Sequence, residues 1–562
     1  MVSKKSYEYV YGSINVKQSD GKNFEDEPKK HSQEAVDGEP SVTTSRSSRL
    51  IFGTIVLLSV FVWFGFCNDK SNRFPSSNVE SPDEGRLPEN IPRFFSQKVD
   101  HLDPSNTKTW KHRYYAQDKY FKGPGHPIIL VVGGEDGNDY GFFYRFIEEH
   151  LAQLFGAFVL HPEHRFYGIS QPVDPAVATT NDLKQYFTVQ QAIRDMLTIV
   201  QYYQEVFGCS MDKSSPEYCP VISVGGSYPG FLSAIMRLHF SDVVDIGYAS
   251  SAPLLLYAME ADQFGYFDVV TRTSEQASPG CADAVQSTLF EVDAALRETS
   301  EFLDLAHDKL NICPGSVPSY ITSSAMLSEE LMLIIGPAFA DMNMFNYPPD
   351  ETTDLAMACS GLFQDDSLDS FEKLAKFWTL YLDENIDPSL PCFDMSSQLP
   401  LGPNATISAS DWSGVGTGHD GEMFDFHCCA TLTPAVGFSK DSMFPYRKWT
   451  LDWLTQHCMD RFDVVPDPLK LVREYKFDDL VGQGATRILF TNGMNDLWSA
   501  GSHLESLSES LPVINMPNGA HHSELRYTND DNKDTEDVRQ AHEEITSLLT
   551  RWLKEIKEEH QS

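Results

Sequence analysis

The sequence predicts an α/β fold, in which a parallel sheet is flanked by helices and a single transmembrane helix precedes it. Three observations support this prediction. Short apolar runs alternate with longer helical patterns, strand signals fade over a long central region, and an uncharged apolar stretch lies near the amino end. With 562 residues, 41% apolar and 12% aromatic, the chain exceeds one domain and is too apolar to be disordered.

Residues 50–67 form the apolar stretch, eighteen residues without a charge, which is long enough to span a bilayer. The stretch begins further into the chain than a cleaved secretory signal usually lies. A signal-anchor that leaves the body of the protein outside the cytosol is therefore favoured, and a cleaved signal behind a long start is the alternative. A core helix is disfavoured because the run is apolar on every face.

The segments on either side of this stretch are polar. Residues 1–49 carry eight basic and eight acidic residues and predict a disordered cytosolic tail. Arg46 and Arg49 favour that orientation, although Lys70 and Arg73 on the far side dilute the bias. Residues 68–92, rich in Ser, Asn, Pro and Glu, predict a stalk. The body would then face a lysosomal or vacuolar lumen, another endomembrane lumen, or the cell exterior.

The charge balance excludes one class of partner. The chain has 43 Lys and Arg against 81 Asp and Glu, a formal net charge of −38. Such a charge repels phosphate backbones, so we expect no nucleic-acid binding. It suits an acidic lysosome or vacuole without choosing that location over the cell surface.

From residue 93 onward, strand and helix patterns alternate. The candidate strands are residues 128–132, 158–160, 221–224, 246–249, 488–490 and 513–514. Between about 253 and 470 helical stretches dominate, for example 282–310 and 328–342. We therefore expect a sheet domain built from residues 93–252 and 471–562, with a helical domain inserted over 253–470.

A sharp turn between a strand and a helix carries a serine. The sequence Gly-Gly-Ser-Tyr-Pro-Gly at 225–230 resembles a nucleophile elbow with Ser227 at its tip. Pro229 stands where the usual pattern ends in Gly, and proline is tolerated in the first turn of a helix because its missing N–H would have no partner there. The backbone N–H of Tyr228 is the expected oxyanion donor.

Two later strands end in an acid and in a histidine pair. Asp496 follows the strand at 488–490, and His521 and His522 follow the strand at 513–514. A serine hydroxyl needs an imidazole to take its proton and a carboxylate to orient that imidazole. Each signal alone is usually a surface turn. Their positions at strand ends, in the order Ser, Asp, His, predict an α/β-hydrolase fold with a catalytic triad.

Further motifs carry a resemblance to one family. They include Gly-Gly-Glu-Asp-Gly at 133–137, Glu-His-Arg-Phe-Tyr-Gly at 163–168 and Ala-Ser-Ser-Ala-Pro at 249–253, with residues 95–101, 109–115 and 519–522. From about residue 94 to 526 the chain resembles the serine peptidases that include lysosomal Pro-X carboxypeptidase, dipeptidyl peptidase II and thymus-specific serine protease. The resemblance implies an α/β-hydrolase fold with an inserted helical cap domain.

The resemblance also implies catalytic roles. Ser227 would be the nucleophile, Asp496 the orienting acid and His521 the base. The second oxyanion N–H would come from the turn at 133–135, with Glu135 as the candidate donor, and a glycine turn without this role is the alternative.

Members of this family cleave beside proline. Trp498 matches the aromatic residue that lines their proline pocket, although Leu497 replaces the usual proline before it and leaves the pocket shape open. The Glu135 carboxylate is a candidate for holding the free amine of a substrate, and a solvated turn carboxylate is the alternative.

Nine of the ten cysteines follow the apolar stretch, which indicates an oxidising compartment and one unpaired thiol. The resemblance implies three pairs, Cys281 with Cys359, Cys313 with Cys392 and Cys429 with Cys458. Cys209 and Cys219 are close enough in sequence to form a local loop, which leaves Cys428 as the odd thiol. Asn404 begins a glycosylation sequon, which fits a lumenal face.

These observations predict a membrane-anchored serine exopeptidase that acts on short proline-containing peptides. Neither a cofactor nor a metal is expected, because triad chemistry needs none. The rivals are an esterase or lipase on the same fold and a binding ectodomain that has lost catalysis. The sequence does not decide whether the enzyme removes residues from the amino or the carboxyl end of a peptide. It also leaves a homodimer possible.

Overall fold

An eight-stranded sheet forms the centre of the part of the chain that the structure describes. The computed structural model describes residues 90–139, 141–175, 177–317, 321–381, 392–393, 395, 418–526 and 533–559. The strands are β1 Arg93–Lys98, β2 Thr109–Gln117, β3 Ile128–Val131, β4 Phe158–Pro162, β5 Val221–Gly226, β6 Ile246–Ser250, β7 Ile488–Gly493 and β8 Val513–Met516. Their order across the sheet is β1-β2-β4-β3-β5-β6-β7-β8.

The sheet is mixed, whereas the sequence predicted a parallel one. All pairings among β3 to β8 are parallel, while β1 and β2 are antiparallel to each other and β2 is antiparallel to β4. The six predicted strands correspond to β3 to β8. The two others lack a continuous apolar run, since β1 alternates exposed and more buried residues as an edge strand does.

β3 shows why the central strands are apolar at every position. Ile128 and Leu130 share a core with Ile193, while Ile129 and Val131 share the opposite core with Ile545. Successive side chains of a strand point to opposite faces, so a strand covered by helices on both faces buries all of them.

The helices are α1 Ala152–Phe155, α2 Thr180–Tyr186, α3 Val189–Phe207, α4 Tyr228–His239, α5 Leu254–Tyr257, α6 Gly265–Ala277, α7 Cys281–Glu298, α8 Phe302–Leu310, α9 Ser324–Met344, α10 Asp354–Met357, α11 Ser370–Tyr381, α12 Gly418–His427, α13 Leu451–Phe462, α14 Lys470–Tyr475, α15 Ser523–Arg526 and α16 Glu536–Glu559. The π-helical turns are Phe146–Leu151, Ala358–Phe363 and Cys428–Leu432, and the 3-10 turns are Phe477–Asp479 and Leu497–Gly501. The predicted stretch 282–310 is interrupted because Thr299 is extended after α7.

In its described residues the long connection from β6 to β7 contains helices and no β-strand, and it forms a core of its own. Leu289, Leu331, Phe339 and Trp378 lie in that core. The helices fall in the region where the helical domain was predicted, and the exact domain boundaries stay a prediction. We call this region the helical insertion, residues 253–470.

Four disulfides join the cysteine pairs that were expected from sequence. They are Cys209–Cys219, Cys281–Cys359, Cys313–Cys392 and Cys429–Cys458. Cys428 is buried and carries a free thiol. Three of the four pairs lie within the helical insertion and hold its helices together.

The prediction of a single transmembrane helix is not supported. Among the described residues, no helix combines the length and the apolar character needed to cross a bilayer. Residues 1–49, 50–67 and 68–89 and Asn404, on which the tail, anchor, stalk and glycosylation predictions fell, lie outside the described residues. The fold class is therefore corrected to an α/β fold with a mixed sheet. The homodimer that the sequence left open is likewise not supported by the described residues.

A buried ion pair connects the loop after β4 with α3. Arg165 donates to Asp195 from Nε at 2.6 Å and from Nη2 at 2.8 Å, and both side chains are buried. Burial is the largest effect and would raise the pKa of Asp195, but the Arg165 guanidinium, together with His101 and His112, outweighs burial and holds this pKa below its ordinary value. Because the folded state has the lower pKa, the stabilisation exists at neutral pH and is lost as the pH falls below about 4.

Replacing Asp195 with Asn should lower the free energy of unfolding by about 3–5 kcal/mol at neutral pH, because it leaves the Arg165 charge buried without a counterion. Urea unfolding followed by intrinsic fluorescence measures this change. The matched control is Glu555→Gln, which breaks an exposed ion pair with Arg551 and should cost less than about 1 kcal/mol. Equal losses in both variants would contradict the prediction.

Candidate active site

The turn between β5 and α4 presents Ser227 at the carboxyl edge of the sheet. Ser227 has a φ of 66° and a ψ of −134°, a conformation that costs on the order of 1–3 kcal/mol for a residue with a side chain. Backbone hydrogen bonds hold it, since its N–H donates to Ser250 at 2.9 Å and its carbonyl accepts from Gly230 at 2.9 Å. The tip of the turn is therefore rigid.

Glycines surround Ser227 because other groups approach closely. A Cβ on Gly225 would lie 2.3 Å from the backbone of Pro229, and a Cβ on Gly226 would lie 2.6 Å from the imidazole of His522. A Cβ on Gly134 would lie 2.9 Å from Cγ of Pro229. The turn of residues 133–139 therefore lies beside the elbow, where the second oxyanion donor was expected.

Asp496 orients His521. His521 Nδ1 lies 2.8 Å from Asp496 Oδ2, and the two residues are 4% and 0% exposed. An ionised carboxylate only accepts, so Nδ1 carries the proton and Nε2 is left to accept one. Burial and the neighbouring His521 hold the pKa of His522 well below its ordinary value, so His522 stays neutral.

Ser227 and His521 line the same pocket. The turn 133–139 forms one wall of the pocket, and His522 and Arg526 also line it. The structure therefore brings the predicted nucleophile, base and oxyanion turn to one site.

Met344 and Phe345, at the end of α9, also line this pocket, although no sequence pattern indicates them. The Met344 carbonyl accepts the His521 N–H at 3.3 Å, and the side chain of Asn343 accepts the Leu497 N–H at 3.1 Å. Sequence reasoning missed Met344 and Phe345 because apolar residues at the end of a helix usually indicate only a core position. Through the two hydrogen bonds that Met344 and Asn343 accept, the helical insertion positions the loops that carry Asp496 and His521.

Trp498 lies near His521, but it is not among the residues that line this pocket. Its ring centre is 6.3 Å from that of His521 and 5.1 Å from that of Tyr266, and the residue is 8% exposed. Trp498 belongs to the core of the helical insertion. Its role in a proline pocket stays a prediction.

Two of the three carboxyl groups with which the turn 133–139 lines the pocket have raised pKa values. Burial raises the pKa of Glu135 to about 8. Burial, Asp420 and Glu135 raise the pKa of Asp136. The raised pKa values favour the neutral forms of Glu135 and Asp136, and a cation bound beside them would favour the ionised forms.

Among the described residues, Asp425, Cys429 and His457 have the spacing of a metal site. Cys429 is in a disulfide, so its sulfur is not a thiolate ligand. His457 and Arg461 instead pair with Asp425 at 2.8 and 2.7 Å, which makes this cluster an ion-pair network.

Comparison with known proteins identifies the family. The model of the serine carboxypeptidase S28 family matches residues 97–545. Lysosomal Pro-X carboxypeptidase of Homo sapiens is 25% identical over 448 residues, 78% of this chain and 83% of that protein. Thymus-specific serine protease of Mus musculus is 26% identical over 483 residues, 84% of this chain and 90% of that protein. Among solved structures, an arylesterase is 13% identical in a match that covers 30% of this chain and 48% of the arylesterase chain, with a TM-score of 0.20. The chain belongs to the serine carboxypeptidase S28 family and is a serine peptidase, a hydrolase.

Proposed function

We propose that this protein is an exopeptidase that cleaves short peptides beside proline, with Ser227 as nucleophile, His521 as general base and Asp496 as orienting acid. The observation that carries the proposal is the 2.8 Å contact between His521 and Asp496 at a pocket that Ser227 also lines. The name of the relative, Pro-X carboxypeptidase, supports proline beside the cleaved bond.

In the proposed reaction, Ser227 Oγ attacks the peptide carbonyl and passes its proton to His521 Nε2. The Tyr228 N–H and an N–H of the turn 133–135, with Glu135 as the candidate, bind the oxyanion. His521 then protonates the leaving amine, and an acyl group stays on Ser227. Water that gives its proton to His521 hydrolyses this ester and restores the serine.

The helical insertion supports the restriction to short peptides. Met344 and Phe345 close one side of the pocket that Ser227 lines. We infer that this wall limits how far a peptide can extend past the cleaved bond. A lysosomal or other lumenal location is supported by the four disulfides and by the name of the relatives.

The proposal is tested with the purified full chain from about pH 4 to about pH 8. One substrate is an Xaa-Pro-dye amide with a free amine, and the other is an amino-blocked Xaa-Pro-Phe peptide. Dye release that Ser227→Ala abolishes would establish a dipeptidyl peptidase, and Phe release alone would establish a carboxypeptidase. If the wild type cleaves neither substrate and does not react with a fluorophosphonate, the proposal is overturned in favour of a binding protein. Ester cleavage alone would favour an esterase.

If the free amine of a dipeptidyl substrate binds Glu135, then Glu135→Gln should raise KM for the Xaa-Pro-dye amide about tenfold, with kcat changed less. The expected size follows from the loss of one charge-assisted hydrogen bond, worth about 1.5–3 kcal/mol. Steady-state kinetics measure it, and Asp452→Asn, at an exposed position in α13, is the control. An unchanged KM in Glu135→Gln would leave Glu135 as a carboxyl of the turn without a role in binding the amine.

A further inference from the structure

Asp420, in the first turn of α12, connects two loops at the active site. Its Oδ2 accepts the Gly137 N–H at 3.0 Å, and its Oδ1 accepts the Gly168 N–H at 2.9 Å. Gly137 belongs to the turn 133–139, and Gly168 belongs to the loop of residues 163–170 after β4. A single carboxylate of the helical insertion thus joins both loops, an arrangement that we call the Asp420 bridge.

The loop 163–170 also contacts the residue after the nucleophile. His164 Nδ1 lies 2.7 Å from the Arg165 carbonyl, so Nδ1 must donate and Nε2 must accept. The Tyr228 hydroxyl, 3.2 Å from His164 Nε2, is therefore the donor of that hydrogen bond. Both predicted oxyanion donors, the turn 133–139 and Tyr228, are connected through this loop.

Packing fixes the position of Asp420. Met423 and Phe426 of α12 share a core with Phe166 and Tyr167 of the loop 163–170. The Cys429–Cys458 disulfide ties the turn after α12 to α13. The bridge therefore joins elements that are already held together, and its specific contribution is to orient two backbone N–H groups.

The groups that surround Asp420 make its charge sensitive to pH. They are Asp136 and Asp139 from the turn 133–139, Tyr167 from the loop 163–170 and Arg113 from β2. Burial raises the pKa of Asp420 to about 6 although the Gly168 and Gly137 N–H groups lower it. Above that pH both oxygens accept fully, and below it one oxygen carries a proton and accepts poorly.

We propose that Asp420 is a positioning residue through which the helical insertion holds the turn 133–139 in place for catalysis. Its catalytic consequence rests on the proposed function, whereas the bridge itself is a property of the fold. Asp420 does not reach the reacting atoms. It fixes the backbone from which the second oxyanion N–H and the Glu135 side chain project.

The kinetic test replaces Asp420 with Asn, which has the shape of the protonated acid and a single acceptor oxygen. At about pH 7.5 kcat should fall about tenfold, the size of one lost hydrogen bond to a charged group. Near pH 5 the wild type and the variant should approach each other, because the wild-type carboxyl is then protonated too. Asp420→Glu, which keeps the charge, should retain the pH dependence. Asp452→Asn, at an exposed position in α13, is the control. A ratio of wild type to Asp420→Asn that is constant across pH would overturn the proposal.

Amide hydrogen exchange tests the bridge without substrate. At about pH 7.5 the peptides that cover residues 133–139 and 163–170 should exchange faster in Asp420→Asn, and in Asp452→Asn they should not. Unchanged exchange would overturn the bridge even in an active enzyme. If the wild type hydrolyses no peptide but the exchange difference is present, the proposed function fails and the bridge stands.

Discussion

Replacing Ser227 with Ala should lower kcat toward the cleaved peptide by on the order of 10⁴–10⁶-fold. Without the hydroxyl no acyl-enzyme can form, and only the oxyanion donors and substrate binding still accelerate the reaction. The folded state should be preserved, because backbone bonds to Ser250, Gly230 and Phe231 hold the turn and do not use the serine side chain.

Single-turnover and steady-state kinetics measure this loss, and thermal unfolding checks the fold. Ser241→Ala is the matched control, since this serine is exposed in the turn after α4 and far from the pocket lining. It should leave kcat unchanged. A loss of less than about tenfold in Ser227→Ala would show that hydrolysis does not pass through this serine.

Replacing Asp496 with Asn should lower kcat by on the order of 10⁴-fold while the protein stays folded. The Trp498 N–H donates to Asp496 Oδ1 at 3.0 Å, so the single oxygen of an asparagine would be drawn to that donor. Its NH₂ group would then face His521 Nδ1, which would have to accept. His521 would carry its proton on Nε2 and could not take the proton of Ser227.

The measurement is kcat as a function of pH, with fluorophosphonate labelling as a second readout of serine reactivity. Asp478→Asn is the control because Asp478 is exposed in the 3-10 turn Phe477–Asp479, away from the pocket. A tenfold or smaller loss in Asp496→Asn would mean that another group orients the imidazole.

Local patterns were sufficient to predict the parallel strands and the triad candidates. β3 and β5 are continuous apolar runs, and the elbow motif follows β5 directly along the chain. β1 escaped prediction because it is a partly exposed edge strand that mixes polar and apolar residues. β2 lies inside the sheet and is mostly buried, but its Lys, His, Arg and Gln residues interrupt the apolar run. The transmembrane helix was predicted from apolar composition alone, and the described residues give it no support.

Long-range contacts explain what the sequence could not reveal at the site. Met344 reaches His521 from the end of α9, and Asp420 reaches Gly137 across 283 positions of sequence. No motif marks either residue, because their importance depends on which loops the fold brings beside them. Trp498 was placed in a proline pocket by a match to a motif; it is not among the residues that line the pocket of Ser227, and its role in a proline pocket stays a prediction.

The position of the helical insertion has a consequence for biosynthesis. Ser227 lies before the insertion and the proposed acid and base lie after it, so the ribosome makes the nucleophile more than two hundred residues before its partners. β7 pairs with β6, with Gly247 opposite Ile488. The edge of β6 must therefore stay uncovered while the helical insertion, which lies between the two strands in sequence, is made and folds. A nascent or truncated chain therefore carries an unactivated serine. Under the proposed mechanism, peptidase activity arises only when the last strands join the sheet.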